Sequence, residues 1–174
     1  MKNIFTDIDL VIFDLDGTLY EDTEHFQYYA ELLKKQLNKD VQERFMHEYE
    51  KMVAGNHIVS IGKVYDVLRD YILKIDMDFS NVLSAWTWDG QPLEIEEIKK
   101  IYQTPIQLDF DTMIAIGDGW WLPNVCARHF GVKETQEAYV KTKEYMDTTA
   151  FHLTKIPGLR EGLKHLKEKK DIVL

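Results

Sequence analysis

The feature that most constrains the fold of this chain is a short apolar run that stops at two acidic residues. The run is Leu10-Val11-Ile12-Phe13, and Asp14-Leu15-Asp16-Gly17 follows it directly. Four consecutive apolar residues ended by a tight-turn sequence predict a strand buried on both faces, as in a parallel sheet. Asp14 and Asp16 would then stand at the carboxyl end of that strand, where open parallel sheets bind their ligands.

Two carboxylates at this place can divide the work of phosphoryl transfer. One attacks phosphorus and holds a divalent cation, and the other passes a proton to the leaving oxygen. Gly17 lets the backbone turn tightly beside a ligand, and Thr18 offers a hydroxyl and a backbone amide. Acidic turns after strands are common. However, four fixed residue types coincide by chance with odds on the order of 10⁻⁵ per position, which favours a functional interpretation.

These residues resemble the first motif of the haloacid dehalogenase superfamily, an apolar strand followed by Asp-x-Asp-Gly-Thr. The resemblance implies a Mg²⁺-dependent phosphohydrolase that acts on a small phosphorylated metabolite through an aspartyl-phosphate. Asp14 would be the nucleophile, and Asp16 the general acid and then the base that activates water. The Asp14 carboxylate and the Asp16 backbone carbonyl would hold Mg²⁺. Leu15, Gly17 and Thr18 would contact the substrate.

The second Asp of the motif also separates two branches of the family. The dehalogenase branch generally lacks it, so Asp16 favours phosphate substrates over halogenated acids. A phosphomutase that uses the same nucleophile is a variant that the motif leaves open. It would transfer phosphate within a sugar phosphate and release little inorganic phosphate.

The resemblance also implies a division of the chain into a core and an inserted cap. Residues 1–20 and 156–174 would form part of a Rossmann-like α/β core, and residues 21–155 a large, mainly α-helical cap domain. Ile156-Pro157-Gly158, an amphipathic helix and Asp171-Ile172-Val173-Leu174 look like the approach to the family's second motif. The Ser or Thr of that motif, the third-motif Lys and the fourth-motif acids cannot be assigned. We therefore expect the complete protein to be a phosphatase and the 174-residue chain alone to be inactive, with binding through the cap as the alternative function.

Helical spacing of apolar side chains predicts most of the middle of the chain. No strand is predicted between Phe13 and Phe110, and Gly131 is expected to end a helix. The middle is therefore expected to be one compact, mainly helical unit. The predicted helices run from Thr23 to Leu37, Val41 to Met52, Val64 to Ile72, Ile95 to Ile101, Trp120 to Phe130 and Glu134 to Met146.

A second segment, Met113 to Gly119, is similar to the family's fourth motif because an apolar run ends in Gly-Asp. Two facts argue against a metal site there. The segment precedes the Pro-Gly break, and Pro123 or Asn124 stands where a second acid is expected. We interpret it as a turn that starts a helix, with Asp118 near the helix N-terminus. Trp120 and Trp121 after it are expected to pack in the core, with a substrate-facing aromatic wall as the alternative.

Histidine and cysteine supply weaker signals. The six histidines are scattered without ligand spacing, which argues against a histidine metal site. His25 lies close to the motif and is expected at a solvated helix position. Cys126 is expected to be a small buried apolar residue.

Composition excludes several classes of function. The formal net charge is −9, from 21 Lys and Arg against 30 Asp and Glu, so a nucleic-acid partner is not expected. The single cysteine cannot form an internal disulfide, and no run approaches the roughly 18 apolar residues of a membrane span. We expect a cytoplasmic protein with no membrane partner. The sequence does not determine the oligomeric state.

Overall fold

A computed structural model describes residues 8–14, 18–19, 24–154 and 156–173. The described residues form a mixed α/β structure that divides into two compact units, Met1–His25 with Glu144–Leu174, and Phe26–Lys143. None of the helices in these ranges is long and apolar enough to cross a membrane. In chain order the elements are β1 (Leu10–Ile12), α1 (Glu24–Lys34), α2 (Lys39–Val53), β2 (Val64–Asp66), β3 (Tyr71–Ile75), β4 (Val82–Thr87), α3 (Ile95–Ile101), β5 (Met113–Ala115), α4 (Trp121–His129), α5 (Gln136–Met146), α6 (Leu159–Lys167) and β6 (Asp171–Val173).

The unit that contains both chain ends holds a two-stranded parallel sheet. β1 pairs with β6 so that Leu10 faces Asp171 and Ile12 faces Val173. α6 precedes β6 and begins after Gly158, which has a φ of 76°. This φ lies in the left-handed region that glycine adopts without a steric cost. The helix and the strand after it therefore follow the Pro-Gly break as predicted.

The Phe26–Lys143 unit contains a four-stranded antiparallel sheet in the order β4-β3-β2-β5. Its main hydrophobic cluster includes the almost completely buried Tyr29, Leu33, Phe45, Ile72 and Ile114. A second cluster of buried apolar side chains joins strands β2, β3 and β4 to α3. The core joins side chains of α1 and α2 to side chains of the central strands, so the sheet is integral to this unit.

Most of the helices predicted from spacing are present. The structure confirms helices close to the predicted bounds at α1, α2, α3, α4, α5 and α6. Gly131 follows α4 with a φ of 93°, and its N–H donates to the Arg128 carbonyl. Gly131 therefore ends the helix as expected.

The helix predicted from Val64 to Ile72 is wrong. This segment forms β2, a turn and the start of β3, with Val64 paired to Leu73 and Asp66 to Tyr71. Every residue of β2 is buried, and Leu68 in the turn is 74% exposed. Helical spacing of apolar residues favoured a helix, but β-branched and aromatic side chains fit a strand that is buried on both faces.

The description of the middle of the chain as mainly helical therefore needs a correction. Strands β2, β3 and β4 lie between Phe13 and Phe110, where the sequence analysis predicted no strand. Trp86, which belongs to no predicted strand or helix, lies in β4. Sheet pairing joins residues that are far apart in the chain, and no local spacing reports it.

Candidate active site

Asp14 lies just beyond the carboxyl end of β1. The Phe13 N–H donates to the Val173 carbonyl at 3.0 Å and extends the parallel ladder by one bond. Asp14 follows directly and is exposed. An exposed carboxylate at this end of a parallel strand can contact a ligand, and it carries no desolvation penalty from burial in the protein.

The other residues of the predicted site are only partly placed. Leu15, Asp16 and Gly17 lie outside the described residues. Thr18 is exposed and Leu19 half-buried, both in a turn. The pairing of Asp14 with Asp16, and with it the Mg²⁺ site, therefore stays a prediction.

The prediction that β1 is buried on both faces is wrong for the described structure. Leu10 is 48% exposed and Ile12 is 70% exposed. β6 also presents Val173 to solvent, and none of the residues of α6 is buried. Within the described ranges only β6 pairs with β1, and two strands and one helix do not supply enough surface to cover both faces of a sheet.

A cavity lies beside the turn that follows the motif. It has a volume of about 550 Å³ and extends from Leu19 to the Ile156–Glu161 segment, all within the unit that contains both chain ends. Arg160 and Glu161, in the first turn of α6, are the charged side chains that line it. Arg160 is a cation that the sequence analysis did not single out, and guanidinium groups pair well with phosphate.

The Gly117-Asp118-Gly119 segment has a structural role. An Asp118 carboxylate oxygen accepts a hydrogen bond from the Trp120 N–H at 2.9 Å, immediately before α4. At Gly119 an added Cβ would come within 2.5 Å of the Phe26 ring. A turn and close packing thus explain the residue types of this segment. This agrees with its interpretation as a turn that starts a helix.

Among the described residues, no three His, Cys, Asp or Glu side chains converge on a point that could hold a metal ion. Several of the histidines instead contact neighbouring protein groups. His25 was expected at a solvated position, but it is buried, with its ring edge-on to Phe151. Cys126 is completely buried as expected, and burial raises the pKa of its thiol.

A polar cluster that the sequence analysis missed joins the β2–β3 turn to α4. His129 Nδ1 lies 2.8 Å from an Asp70 carboxylate oxygen, and the Tyr65 hydroxyl donates to the same oxygen at 2.8 Å. Trp88 stacks on the His129 ring with centroids 3.8 Å apart. Burial opposes ionisation of Asp70, but the hydrogen bonds from His129 and Tyr65 outweigh it and hold the pKa of Asp70 below its usual value. Asp70 is separated from His129 by 59 positions in the chain, so no local motif could reveal the pair.

Comparison with known proteins does not supply a family. No protein-family model matches the chain, and no curated protein matches it. The motif and the placement of its described residues are therefore the features that bear on function.

Proposed function

We propose that this protein is a cytoplasmic Mg²⁺-dependent phosphohydrolase of the haloacid dehalogenase type. Its substrate is a small phosphorylated metabolite. Residues 1–20 and 156–174 form part of its Rossmann-like core, and residues 21–155 form the cap. The observation that supports this most is the position of Asp14, exposed and directly after the carboxyl end of a parallel strand. Open α/β sheets bind ligands at that end.

In the proposed reaction an Asp14 carboxylate oxygen attacks the phosphorus of the substrate. The bond from phosphorus to the leaving oxygen breaks, and the Asp16 carboxyl gives that oxygen its proton. Asp16, now ionised, takes a proton from water. The water oxygen attacks phosphorus, the bond to Asp14 breaks, and inorganic phosphate leaves with both carboxyl groups restored.

Asp14 and Asp16 would hold Mg²⁺ through oxygen atoms, the ligand type that this ion prefers. The exposed Asp14 carboxylate fits that role. When bound, the ion offsets the repulsion between the attacking carboxylate and the phosphate charge. Arg160, beside the cavity at Leu19, is a further candidate contact for the substrate phosphate.

Replacing the nucleophile tests the proposal. We expect Asp14→Asn to lower phosphate release from p-nitrophenyl phosphate by about a thousandfold or more, because the amide cannot form the phosphoryl intermediate. The assay uses the natural gene product with Mg²⁺ and measures inorganic phosphate. Asp9→Asn is the matched control, since Asp9 is exposed just before β1 and its backbone carbonyl, which the substitution keeps, accepts the Asp171 N–H. Retained turnover in Asp14→Asn would exclude the mechanism.

One observation favours a second candidate, a binding-only role for the 174-residue chain. The β1–β6 sheet exposes Ile12 and Val173, so the strand that carries Asp14 is poorly supported. We then expect no turnover from this chain even where the natural gene product is active. Turnover by the chain alone contradicts the second candidate. Phosphate transfer within a sugar phosphate, without inorganic phosphate, would indicate the phosphomutase.

A further inference from the structure

The Phe26–Lys143 unit contains a cavity of its own, with a volume of about 600 Å³. This volume lies within the range of about 300–1,000 Å³ that small-molecule sites occupy. Five aromatic side chains line it, Tyr29 and four others that are here called the aromatic wall: Phe110, Trp120, Trp121 and Tyr139. Asn124 and Arg128 of α4, here called the polar pair, also line it.

The aromatic wall is only partly explained by core packing. Trp120 and Trp121 pack against the core, as expected, and Trp120 meets Tyr139 edge-on at 5.0 Å. Phe110, however, stacks on Trp121 with the ring planes 6° apart while 75% of its surface is exposed. A flat aromatic pair that is open to solvent offers a surface on which another planar ring can stack.

Asn124 leaves a buried acceptor without a partner. Its side-chain nitrogen donates to the Tyr29 hydroxyl at 3.2 Å and to Thr135 Oγ1 at 3.0 Å. The Tyr29 hydroxyl donates to the Thr135 carbonyl at 3.5 Å, which leaves its oxygen as the acceptor for the Asn124 amide nitrogen. Asn124 is 8% exposed, and its Oδ1 has no hydrogen-bond partner in the described part of the chain. Buried acceptors in native proteins are normally hydrogen-bonded, so a bound molecule with an N–H group would satisfy this oxygen.

Arg128 adds an unmet donor on the same side of α4. It lies four residues after Asn124, so both side chains share one helix face. Its terminal nitrogen bonds to the Phe110 carbonyl at 3.4 Å and approaches Asp111 at 3.7 Å. Its Nε is buried and has no partner among the residues that the structure describes. Among the described residues, the polar pair therefore has one acceptor and one donor without a hydrogen-bond partner.

The charge around the cavity argues against an anionic ligand. The cations that line it are Arg128 and Lys133, and the carboxylates are Asp111, Asp118 and Glu134. The carboxylates outnumber the cations, and Arg128 already lies beside one of them. A phosphate group would be repelled on balance.

We propose that this cavity binds the base of a nucleoside or a closely related uncharged heteroaromatic ring. Such a ring stacks on the aromatic wall through its face and presents both an N–H and an acceptor nitrogen or oxygen along its edge. These groups match the free acceptor and the free donor of the polar pair. The proposal does not depend on phosphohydrolase activity, because it uses only residues of the Phe26–Lys143 unit.

Calorimetric titration of the 174-residue chain tests the ligand class. Adenosine, guanosine, cytidine and uridine are titrated separately, with ribose and inorganic phosphate as comparisons. We expect at least one nucleoside to bind with a Kd below about 1 mM, and ribose and phosphate not to bind in that range. Failure of all four nucleosides, or equal binding by ribose, would overturn the proposal.

Phe110→Ala tests the stacking surface in the same titration. We expect the bound nucleoside to lose at least about fivefold in affinity, while circular dichroism shows an unchanged fold, since Phe110 is largely exposed. Leu68→Ala is the matched control, because Leu68 is 74% exposed and does not line the cavity. We expect wild-type affinity from it. Wild-type affinity in Phe110→Ala would overturn the proposal.

The hydrogen bond to the polar pair is best tested on the ligand, because substitution of the buried Asn124 would also disturb Tyr29 and Thr135. The nucleoside that binds is compared with its analogue in which every base N–H carries a methyl group instead. We expect the analogue to bind about fivefold more weakly or worse. Equal affinity would exclude recognition through Asn124 and overturn the proposal.

Discussion

Gly117 and Gly119 flank Asp118 in the turn before α4, and only one of them touches a neighbouring side chain. A Cβ at Gly119 would lie 2.5–3.0 Å from three carbons of the Phe26 ring, whereas a Cβ at Gly117 would meet nothing within 4 Å. Neither residue has a positive φ. The two positions therefore separate a steric requirement from a general preference for glycine in turns.

We expect Gly119→Ala to lower the free energy of unfolding by about 1–3 kcal/mol, because the Phe26 ring or the turn has to shift. Gly117→Ala is the control and should change it by less than about 0.5 kcal/mol. Urea denaturation followed by circular dichroism measures both. Equal losses at the two positions would mean that contact with Phe26 is not the cause.

His57 is a residue whose protonation the fold opposes. Its Nδ1 accepts the Val59 N–H at 3.0 Å, and its Nε2 lies 3.1 Å from a Glu48 carboxylate oxygen. Burial lowers the pKa of His57 below 6.5, although Glu48 opposes that shift. A proton on Nδ1 would also remove the acceptor of the Val59 N–H, which acts in the same direction.

The sign of the resulting pH dependence follows from proton linkage. Between the folded pKa and about pH 6.5 the unfolded chain binds a proton at His57 while the folded chain does not, so a fall in pH through this window favours unfolding. The stability that unprotonated His57 contributes to the folded state is fully present above about pH 6.5. It is lost as the pH falls through the pKa of His57 in the folded chain. In this window the free energy of unfolding rises with pH, and we expect His57→Asn to reduce the slope of that rise. The reduction should be less than about 1.4 kcal/mol per pH unit, the limit for a single titrating group. His47→Asn, at an exposed position, should leave the slope unchanged. An unchanged slope in His57→Asn would contradict this account.

At the scale of elements, the helices and the β2–β3 hairpin show what local pattern can and cannot predict. α2 repeats Phe45, Tyr49 and Met52 on one buried face, so spacing alone locates it. The segment from Val64 to Ile72 has a comparable apolar content, but the Asp66 side chain stabilises a turn within it. The Asp66 carboxylate accepts the N–H groups of Leu68 and Arg69, both at 3.1 Å. A carboxylate that bonds backbone N–H groups a few residues ahead competes with helix formation.

Asp66 also ties the hairpin to the segment after α3. It is completely buried, accepts the Tyr102 hydroxyl at 2.7 Å and pairs with Arg69 at 3.1 Å. We expect Asp66→Ala to lower the free energy of unfolding by about 3 kcal/mol, because four hydrogen-bond donors lose a completely buried charged acceptor. Asp78→Ala is the control, since Asp78 is exposed and accepts one N–H, from Ser80. Chemical denaturation measures the free energy of unfolding of both variants. If Asp66→Ala lowers it no more than the control does, the hairpin does not need this carboxylate.

At the scale of the whole molecule, the two units differ in how well they bury their strands. β2 is buried at every residue, and the central pair β2–β3 lies between β4 and β5. β1 and β6 each have one neighbour among the described strands and expose apolar side chains. Backbone hydrogen bonds that few buried side chains cover open more readily than those in a well-packed core.

We expect amide hydrogen exchange to be at least about tenfold slower in β2 and β3 than in β1 and β6. Exchange is followed by NMR or mass spectrometry on the full chain. β5 is an internal control, because it is an edge strand of the four-stranded sheet and should fall between the two groups. Similar protection in β1 and β2 would mean that the β1–β6 sheet is better supported than its exposure indicates.

The sequence by itself determined the helices with a strong apolar period, the Gly131 helix end, the location of β1 and β6, and the Asp14-x-Asp16 motif on which the proposed chemistry rests. These features depend on neighbours within a few positions, so spacing reports them. Only the tertiary structure decided that β2 to β5 form a sheet, that β1 is exposed, and that Asp70 meets His129 and Asn124 meets Tyr29. Sheet pairing, burial and long-range hydrogen bonds join residues that are far apart in the chain, and their energy depends on all the partners at once.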